Sequence, residues 1–223
     1  MASPWDIFQA KQITVDYVHA FEVLLQQIDP DAIGRIAQYL RNAGDRGATI
    51  YVAGNGGSAA LASHWVNDLG KATKGAGKAP LRVMSLSDNI SWLTALANDE
   101  GYERVFSGQL ENFARPGDVF VAISASGNSL NLIEAVDLAR ERGLLTIGLL
   151  GFDGGILKKK VDDYLWFSTK KGAYGVVESG HSLLCHVLTD CLAKHVSVHR
   201  DGKEERAYDM MDRQSLKSVR LGR

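Results

Sequence analysis

The chain has 223 residues, of which 45% are hydrophobic and 23% are charged. These values are typical of globular proteins and exclude wholesale disorder. The formal net charge of −1 gives no support to a nucleic-acid-binding surface, so no nucleic-acid partner is expected.

The N-terminal stretch "MASPWDIFQAKQ" lacks a basic region followed by an apolar one, so it does not resemble a secretory signal. No apolar run approaches the roughly 18 residues that suggest a membrane span. Only two cysteines occur, and the spacing of Cys185 and Cys191 places them on opposite sides of a predicted helix. We therefore expect a cytoplasmic protein in a reducing compartment, with no membrane partner.

Residues 1–46 predict a pair of helices, because their apolar residues recur at helical spacing and the pattern starts afresh after Pro30. A helix pair outside the sheet layers needs a surface to pack against. We expect apolar residues such as Phe21, Leu24 and Leu25 to be exposed in a single subunit, which predicts that this pair serves oligomerisation.

Short apolar runs then alternate with helical stretches, which predicts a parallel sheet covered by helices on both faces. The five candidate strands are residues 48–54, 81–86, 118–124, 145–151 and 163–168. Residues 90–114, between the second and third strands, are predicted as one helical stretch. A long helix over 176–198 closes a domain predicted at 47–198, and a polar tail, 199–223, follows it.

Two loops of unusual composition follow the first and third strands. The glycine loop is "GNGGSAA" (54–60), and the hydroxyl loop is "SASGNS" (124–129). Ligands of open parallel sheets bind at the carboxyl ends of strands, and glycine lets the backbone approach a ligand closely. The helix after each loop presents free N–H groups, and Ser126 and Ser129 add hydroxyl donors. Together the loops predict a phosphate site that needs no Lys or Arg.

Each loop taken alone is also compatible with an ordinary capped turn, since Ser and Asn favour helix N-caps. Neither loop matches a Walker A sequence or a complete dinucleotide-binding pattern. A nucleotide-binding protein is therefore the weakest of the functional alternatives.

Five segments, in this order, carry a resemblance to the SIS domain family: "AGNGGSAALASHWVNDL", "ANDEGYERVF", "GDVFVAISASGNSLNLIEAV", "GFDGG" and "ESGHSLLCHVL". The resemblance runs from about Ala10 to Val196 and is strongest to the phosphoheptose isomerase branch. It implies a flavodoxin-like three-layer α/β fold, with a five-stranded parallel sheet preceded by N-terminal helices. It also implies a homotetramer with active sites between subunits, and conversion of sedoheptulose 7-phosphate to a heptose 7-phosphate.

The resemblance also implies the residues of the binding site. The residues implied to surround the phosphate are Ser124, Ala125, Ser126 and Ser129, and the family usually has Thr at the place of Ala125. The residues implied to bind the rest of the sugar are Asn55, Gly56, Gly57, Ser58, Asp68, Asn98, Asp99 and Glu178.

Moving a carbonyl between two carbons requires an acid, a base and a means of stabilising an enediolate. His64 and Asp68 are four residues apart on the helix after the glycine loop, so they share a face. Glu178 and His186 are eight apart on the last helix, and the two histidines with the two carboxylates suit zinc. Asp68 and His186 are predicted to be catalytic, and His64, Asp68, Glu178 and His186 are predicted to bind zinc.

Other interpretations of these residues stay open at this point. His64 and Asp68 fit an ordinary exposed helical pair, and His186 alone fits a core histidine. The resembling isomerases carry Glu and Gln at the places of Asp68 and Glu178, so the sugar's length and stereochemistry stay open. The alternative function is a non-catalytic module on the same fold that senses a phosphosugar or binds a protein.

Overall fold

A computed structural model describes the backbone of residues 7–74 and 79–201 and the side chains of residues 9–74 and 79–193. The helices are α1 Ile7–Leu25, α2 Pro30–Asp45, α3 Gly57–Ala72, α4 Ile90–Asp99, α5 Ser107–Phe113, α6 Leu130–Glu141, α7 Leu157–Lys160 and α8 Tyr174–Asp201, with a short 3-10 helix at Tyr102–Arg104. The strands are β1 Thr49–Gly54, β2 Arg82–Ser85, β3 Val119–Ser124, β4 Leu145–Leu150 and β5 Asp163–Trp166.

The five strands form one parallel sheet in the order β2-β1-β3-β4-β5. This is the flavodoxin-like order, so the predicted fold class is confirmed. The strands also lie where the apolar runs predicted them. The strand order reverses between β1 and β3, and the loops that follow these two strands therefore border a crevice at the carboxyl edge of the sheet.

Helices cover both faces of the sheet, and alternate strand residues supply the two apolar layers. On one face, Val52 and Val121 pack with residues of α2, α3 and α8. On the other face, Ala53 and Phe120 pack with residues of α4, α5 and α6. The strands have near-continuous apolar sequences because both of their faces are buried. Among the described residues, no helix is both long and apolar enough to cross a lipid bilayer.

The segment 90–114 is not one helical stretch, and that expectation is wrong. Helix α4 ends at Asp99, the 3-10 turn follows, and α5 begins at Ser107. Gly101 has a φ of +103°, outside the helical region, and it marks the break. The last helix extends to Asp201, beyond the boundary expected at residue 198, and the rest of the predicted tail lies outside the described residues.

The expected exposure of Leu24 is also wrong, because this side chain is only 1% exposed. Leu24 packs against α8 at Gly180, where an added Cβ would come within 2.8 Å of a Leu24 methyl carbon. Phe21 and Leu25 are partly buried. Helix α1 does carry exposed apolar side chains, at other positions: Ile13, Val15, Tyr17, Val18 and Val23.

His181 lies in the core beneath the sheet edge and is fully buried. Its Nε2 lies 3.0 Å from the carbonyl oxygen of Leu150, and its Nδ1 has no hydrogen-bond partner among the described residues. Because a neutral imidazole donates from one nitrogen only, this geometry fits the tautomer with the proton on Nε2. Burial lowers the pKa of His181 to about 4, and the bond to Leu150 offsets only part of that effect.

We expect the protein to lose stability as the pH falls from about 6.5 to about 4. Over this range the unfolded chain binds a proton at His181 that the folded chain does not bind. The contribution of the neutral His181 to the free energy of unfolding is therefore complete above pH 6.5, and it falls by about 1.4 kcal/mol for each pH unit below that value. Urea unfolding at pH 7 and pH 5 measures the change. A His181→Leu variant should show a smaller difference between the two pH values, and an equal difference would contradict the assignment.

Candidate active site

The glycine loop and the hydroxyl loop lie on the two sides of the crevice between β1 and β3. In the hydroxyl loop, Ser124 is buried, and its Oγ accepts a hydrogen bond from the Gly127 N–H at 3.0 Å. The Oγ of Ser126 accepts from the Asn128 N–H at 3.3 Å. Ser129 is the N-cap residue of α6, but its side chain makes no capping bond. In both bonds the serine oxygen is the acceptor, so each hydroxyl proton can still be donated to an anion.

A third loop, residues 151–156, supports the hydroxyl loop together with the first residue of α7. Gly127 has a φ of +64°, and a Cβ there would collide with the carbonyl oxygen of Gly154. The Leu157 N–H donates to the Gly127 carbonyl at 3.0 Å, and the Ile156 N–H donates to the Asn128 side chain at 3.1 Å. Because only glycine permits this approach, the contact fixes the position of the hydroxyl loop.

Ala125 takes part in this support and offers no hydroxyl to a ligand. Its methyl group is buried in a small apolar cluster with Phe152 and Val177. At this position, only the backbone is available to a phosphate.

The glycine loop leads directly into α3. Gly56 has a φ of +55° and is the N-cap residue of α3. Because it is a glycine, it leaves the first N–H groups of α3 without a side-chain cap. An added Cβ at Gly57 would lie 2.7 Å from both carboxylate oxygens of Glu178, so this carboxylate packs directly against the first turn of α3. A carboxylate at a helix N-terminus interacts favourably with the helix dipole. Ser58, in the same turn, is buried.

His64, Asp68 and His186 form a cluster where α3 packs against α8. The Asp68 Oδ2 atom lies 3.2 Å from the His64 Nε2 and 3.6 Å from the His186 Nδ1. The two imidazole rings are 5.3 Å apart, with an interplanar angle of 71°. His186 is exposed, so it is not a core histidine. The histidine of α8 that lies in the core is His181.

The cluster has the composition and spacing of a metal site. One ligand atom from each of the three residues lies within 4.8 Å of the others. Ligand atoms around tetrahedral zinc lie about 3.3 Å apart, given bonds of ~2.0–2.1 Å. The two distances to Asp68 are close to this spacing, so the side chains need little rearrangement to hold a divalent ion.

The remaining predicted site residues stand apart from this cluster. Glu178 lies at the α3 N-terminus and is not in the three-residue group, so its role as a zinc ligand stays a prediction. Asn98 and Asp99 are exposed at the end of α4, and the Asn98 side chain donates to Asp99 at 2.7 Å. No described hydrogen bond joins either residue to the two loops.

Sequence reasoning missed two residues that do reach the glycine loop. The Tyr102 hydroxyl donates to the Asn55 Oδ1 at 2.9 Å, and Asn131 shares two hydrogen bonds with the same side chain. Tyr102 was visible as part of the "ANDEGYERVF" segment. Asn131 had a weaker signal, as a lone amide among the apolar residues of "LNLIEAV".

Comparison with known proteins agrees with this geometry. The SIS domain model matches residues 16–151, more than half of the chain and including both loops. The chain belongs to the SIS domain family. Within that family it belongs to the phosphoheptose isomerase branch. The phosphoheptose isomerase of Geotalea daltonii is 38% identical over 186 residues, which cover 82% of this chain and 95% of that protein. The phosphoheptose isomerase of Geobacter sulfurreducens is also 38% identical over 176 residues, which cover 78% of this chain and 92% of that protein.

Solved structures of SIS domain proteins give the same result. The phosphoheptose isomerase of Neisseria gonorrhoeae superposes with a TM-score of 0.74 at 31% identity, covering 83% of this SIS domain chain and 97% of that chain. The phosphoheptose isomerase of Francisella tularensis superposes with a TM-score of 0.75 at 24% identity, covering 87% of this chain and 100% of that chain. This second superposition supports the fold.

Proposed function

We propose that this protein is an isomerase that converts sedoheptulose 7-phosphate to a heptose 7-phosphate. The observation that carries the proposal is the joint presence of a phosphate-type loop after β3 and of a cluster of His64, Asp68 and His186, two of which lie on the helix that follows the glycine loop. The phosphoheptose isomerase relatives, similar over most of their length, support the same reaction.

In this proposal, the hydroxyl loop holds the phosphate through serine hydroxyls and the free N–H groups of α6. Asp68 removes the proton from one carbon and returns it to the neighbouring carbon. His186 exchanges protons with the substrate oxygens or, where a metal is bound, serves as its ligand. Asp68 suits the role of base because a carboxylate can accept a proton and because this side chain is only partly exposed.

In this proposal the same cluster would hold zinc, with His64, Asp68 and His186 as ligands; Glu178, predicted as the fourth ligand, lies beside the α3 N-terminus in the single chain. A bound zinc ion would supply a Lewis acid that stabilises negative charge on the substrate oxygens. The residues of this chain would hold the sugar against that centre, and the hydroxyl loop would fix its far end.

The direct test is to incubate the purified protein with ketose 6-, 7- and 8-phosphates and to follow aldose formation by NMR. Turnover of sedoheptulose 7-phosphate supports the proposal, and turnover of another member of the panel corrects the sugar. Binding without turnover of any ketose phosphate would favour the alternative, a phosphosugar-sensing module.

Replacing Ser126 by Ala is expected to weaken binding of phosphorylated sugars while the fold stays intact. Hydrogen bonds to charged groups are worth about 1.5–3 kcal/mol, which corresponds to roughly a ten- to hundredfold loss of affinity. Calorimetric titration of Ser126→Ala and Ser129→Ala measures the effect. Ser168→Ala, outside the loop, serves as a matched control, and unchanged affinity in both loop variants would argue against the phosphate role.

The proposed assembly is a homotetramer in the cytoplasm. Ile13, Val15 and Val18 on α1 are between 46% and 66% exposed in the single chain, which is unusual for apolar side chains on one short stretch. Both cysteines are free, in keeping with a reducing compartment.

Light scattering is expected to give about four times the mass of one chain at micromolar concentration. A Val15→Asp and Val18→Asp double variant should dissociate, because charges in an apolar interface are costly. A monomeric mass for the unaltered protein would contradict this assembly.

A further inference from the structure

A reciprocal pair of amide side chains joins the glycine loop to α6, the helix that follows the hydroxyl loop. The Nδ2 of Asn55, in the glycine loop, donates to the Oδ1 of Asn131 at 3.0 Å. The Nδ2 of Asn131, in the first turn of α6, donates back to the Oδ1 of Asn55 at 2.9 Å. The two residues are 76 positions apart in the chain, and the pair spans the point where the strand order reverses.

Among the described residues, these bonds leave only one hydrogen-bonding group of the Asn55 side chain without a partner. Its carbonyl oxygen accepts from Asn131 and from the Tyr102 hydroxyl at 2.9 Å, which fills both lone pairs. Its amide nitrogen uses one of two hydrogens on Asn131. The second N–H is therefore the one remaining polar group of this half-buried side chain.

Asn131 itself is 2% exposed, so it cannot obtain hydrogen bonds from bulk solvent. Burying an amide is unfavourable unless its bonds are satisfied, and Asn131 satisfies them on Asn55 rather than on a helix cap. An apolar residue would serve the packing of α6 better. The burial of this amide is therefore explained by the two hydrogen bonds through which it holds the Asn55 side chain.

We propose that Asn131 is a positioning residue which, with Tyr102, orients Asn55 as a hydrogen-bond donor to an oxygen of the bound sugar phosphate. This inference rests on the proposed function. Turning the Asn55 amide alone would oppose its N–H groups to those of Asn131, so Asn131 restricts the Asn55 side chain to the orientation that completes the pair. In this orientation the free N–H of Asn55 is available to an acceptor atom of the substrate.

The test is a double-mutant cycle on kcat/KM, with sedoheptulose 7-phosphate as the substrate. Asn131→Leu and Tyr102→Phe should each lower kcat/KM by about tenfold, in line with the loss of one oriented hydrogen bond. In an Asn55→Ala background, the same changes should have almost no further effect, because the residue through which they act is gone. Tyr39→Phe, on α2, is the matched control and should leave kcat/KM unchanged.

A purely structural role would lower kcat/KM equally in both backgrounds, so additive effects would overturn the inference. Unchanged kcat/KM in both Asn131→Leu and Tyr102→Phe would overturn it as well. Tyr102→Phe keeps the test informative if Asn131→Leu fails to fold, because Tyr102 is 61% exposed and loses only its hydroxyl. Failure of the unaltered protein to turn over any ketose phosphate would instead count against the proposed function.

Discussion

Replacing Asp68 by Asn is expected to remove turnover and to leave substrate binding largely intact. The amide has the shape of the carboxylate but cannot take up a proton. In the structure, one Asp68 oxygen lies between two imidazoles, at 3.2 Å and 3.6 Å, so the carboxylate is central to the cluster. General acid–base groups contribute roughly 10²–10⁴-fold to rate, and we expect kcat to fall by about that factor.

The measurements are kcat from steady-state kinetics and the dissociation constant from calorimetry. Asp31→Asn is a suitable control, because Asp31 is an exposed carboxylate in the first turn of α2, outside the crevice. Near-normal kcat in Asp68→Asn would show that the base has been misassigned. Glu178 is then the next candidate, and Glu178→Gln would be tested in the same way.

Removing bound metal with a strong chelator is expected to abolish turnover, and adding zinc should restore it. We expect about one zinc per subunit, with His64, Asp68, Glu178 and His186 as ligands. Two neutral imidazoles and two carboxylates around a divalent ion give a formally neutral site. Compared with an amide at Glu178, this site should bind zinc more firmly and leave it a weaker Lewis acid.

Elemental analysis tests the ligand assignment without relying on activity. His64→Gln and His186→Gln should each lose most of the metal, whereas His19→Gln, an exposed histidine on α1, should retain it. Glu178→Gln should keep the metal with reduced affinity if Glu178 is a ligand, and with unchanged affinity if it is not. Full turnover by metal-free protein would remove zinc from the mechanism and leave the cluster as a proton-transfer site.

The sheet was predictable from sequence because its strands are buried on both faces and therefore have continuous apolar runs. The environment of single helix positions was not predictable in the same way. Leu24 is buried because α8 presents Gly180 to it, a contact between residues more than 150 positions apart. The break after α4 depends on the positive φ of Gly101, which the helical spacing of the surrounding residues does not reveal.

At the site, spacing on one helix predicted the pairing of His64 with Asp68, because residues four apart share a helix face. Placing His186 beside them required the resemblance to known isomerases, since it depends on how α8 packs on α3. Spacing alone could not place the Glu178 carboxylate, which lies against Gly57. The pairing of Asn55 with Asn131 belongs to the tertiary structure and has no local signal.

The backbone contact between Gly127 and the carbonyl of Gly154 has a consequence for how substrate preference can change. Because a Cβ at Gly127 would collide with the Gly154 carbonyl oxygen, a substitution at this contact disrupts the hydroxyl loop rather than shifting it by a small amount. Under the proposed function, the phosphate end of a bound sugar is therefore held in one place. Under the same proposal, adaptation to longer or shorter sugars, in evolution or in a directed library, should concentrate away from the hydroxyl loop, at residues such as Glu178 beside Gly57.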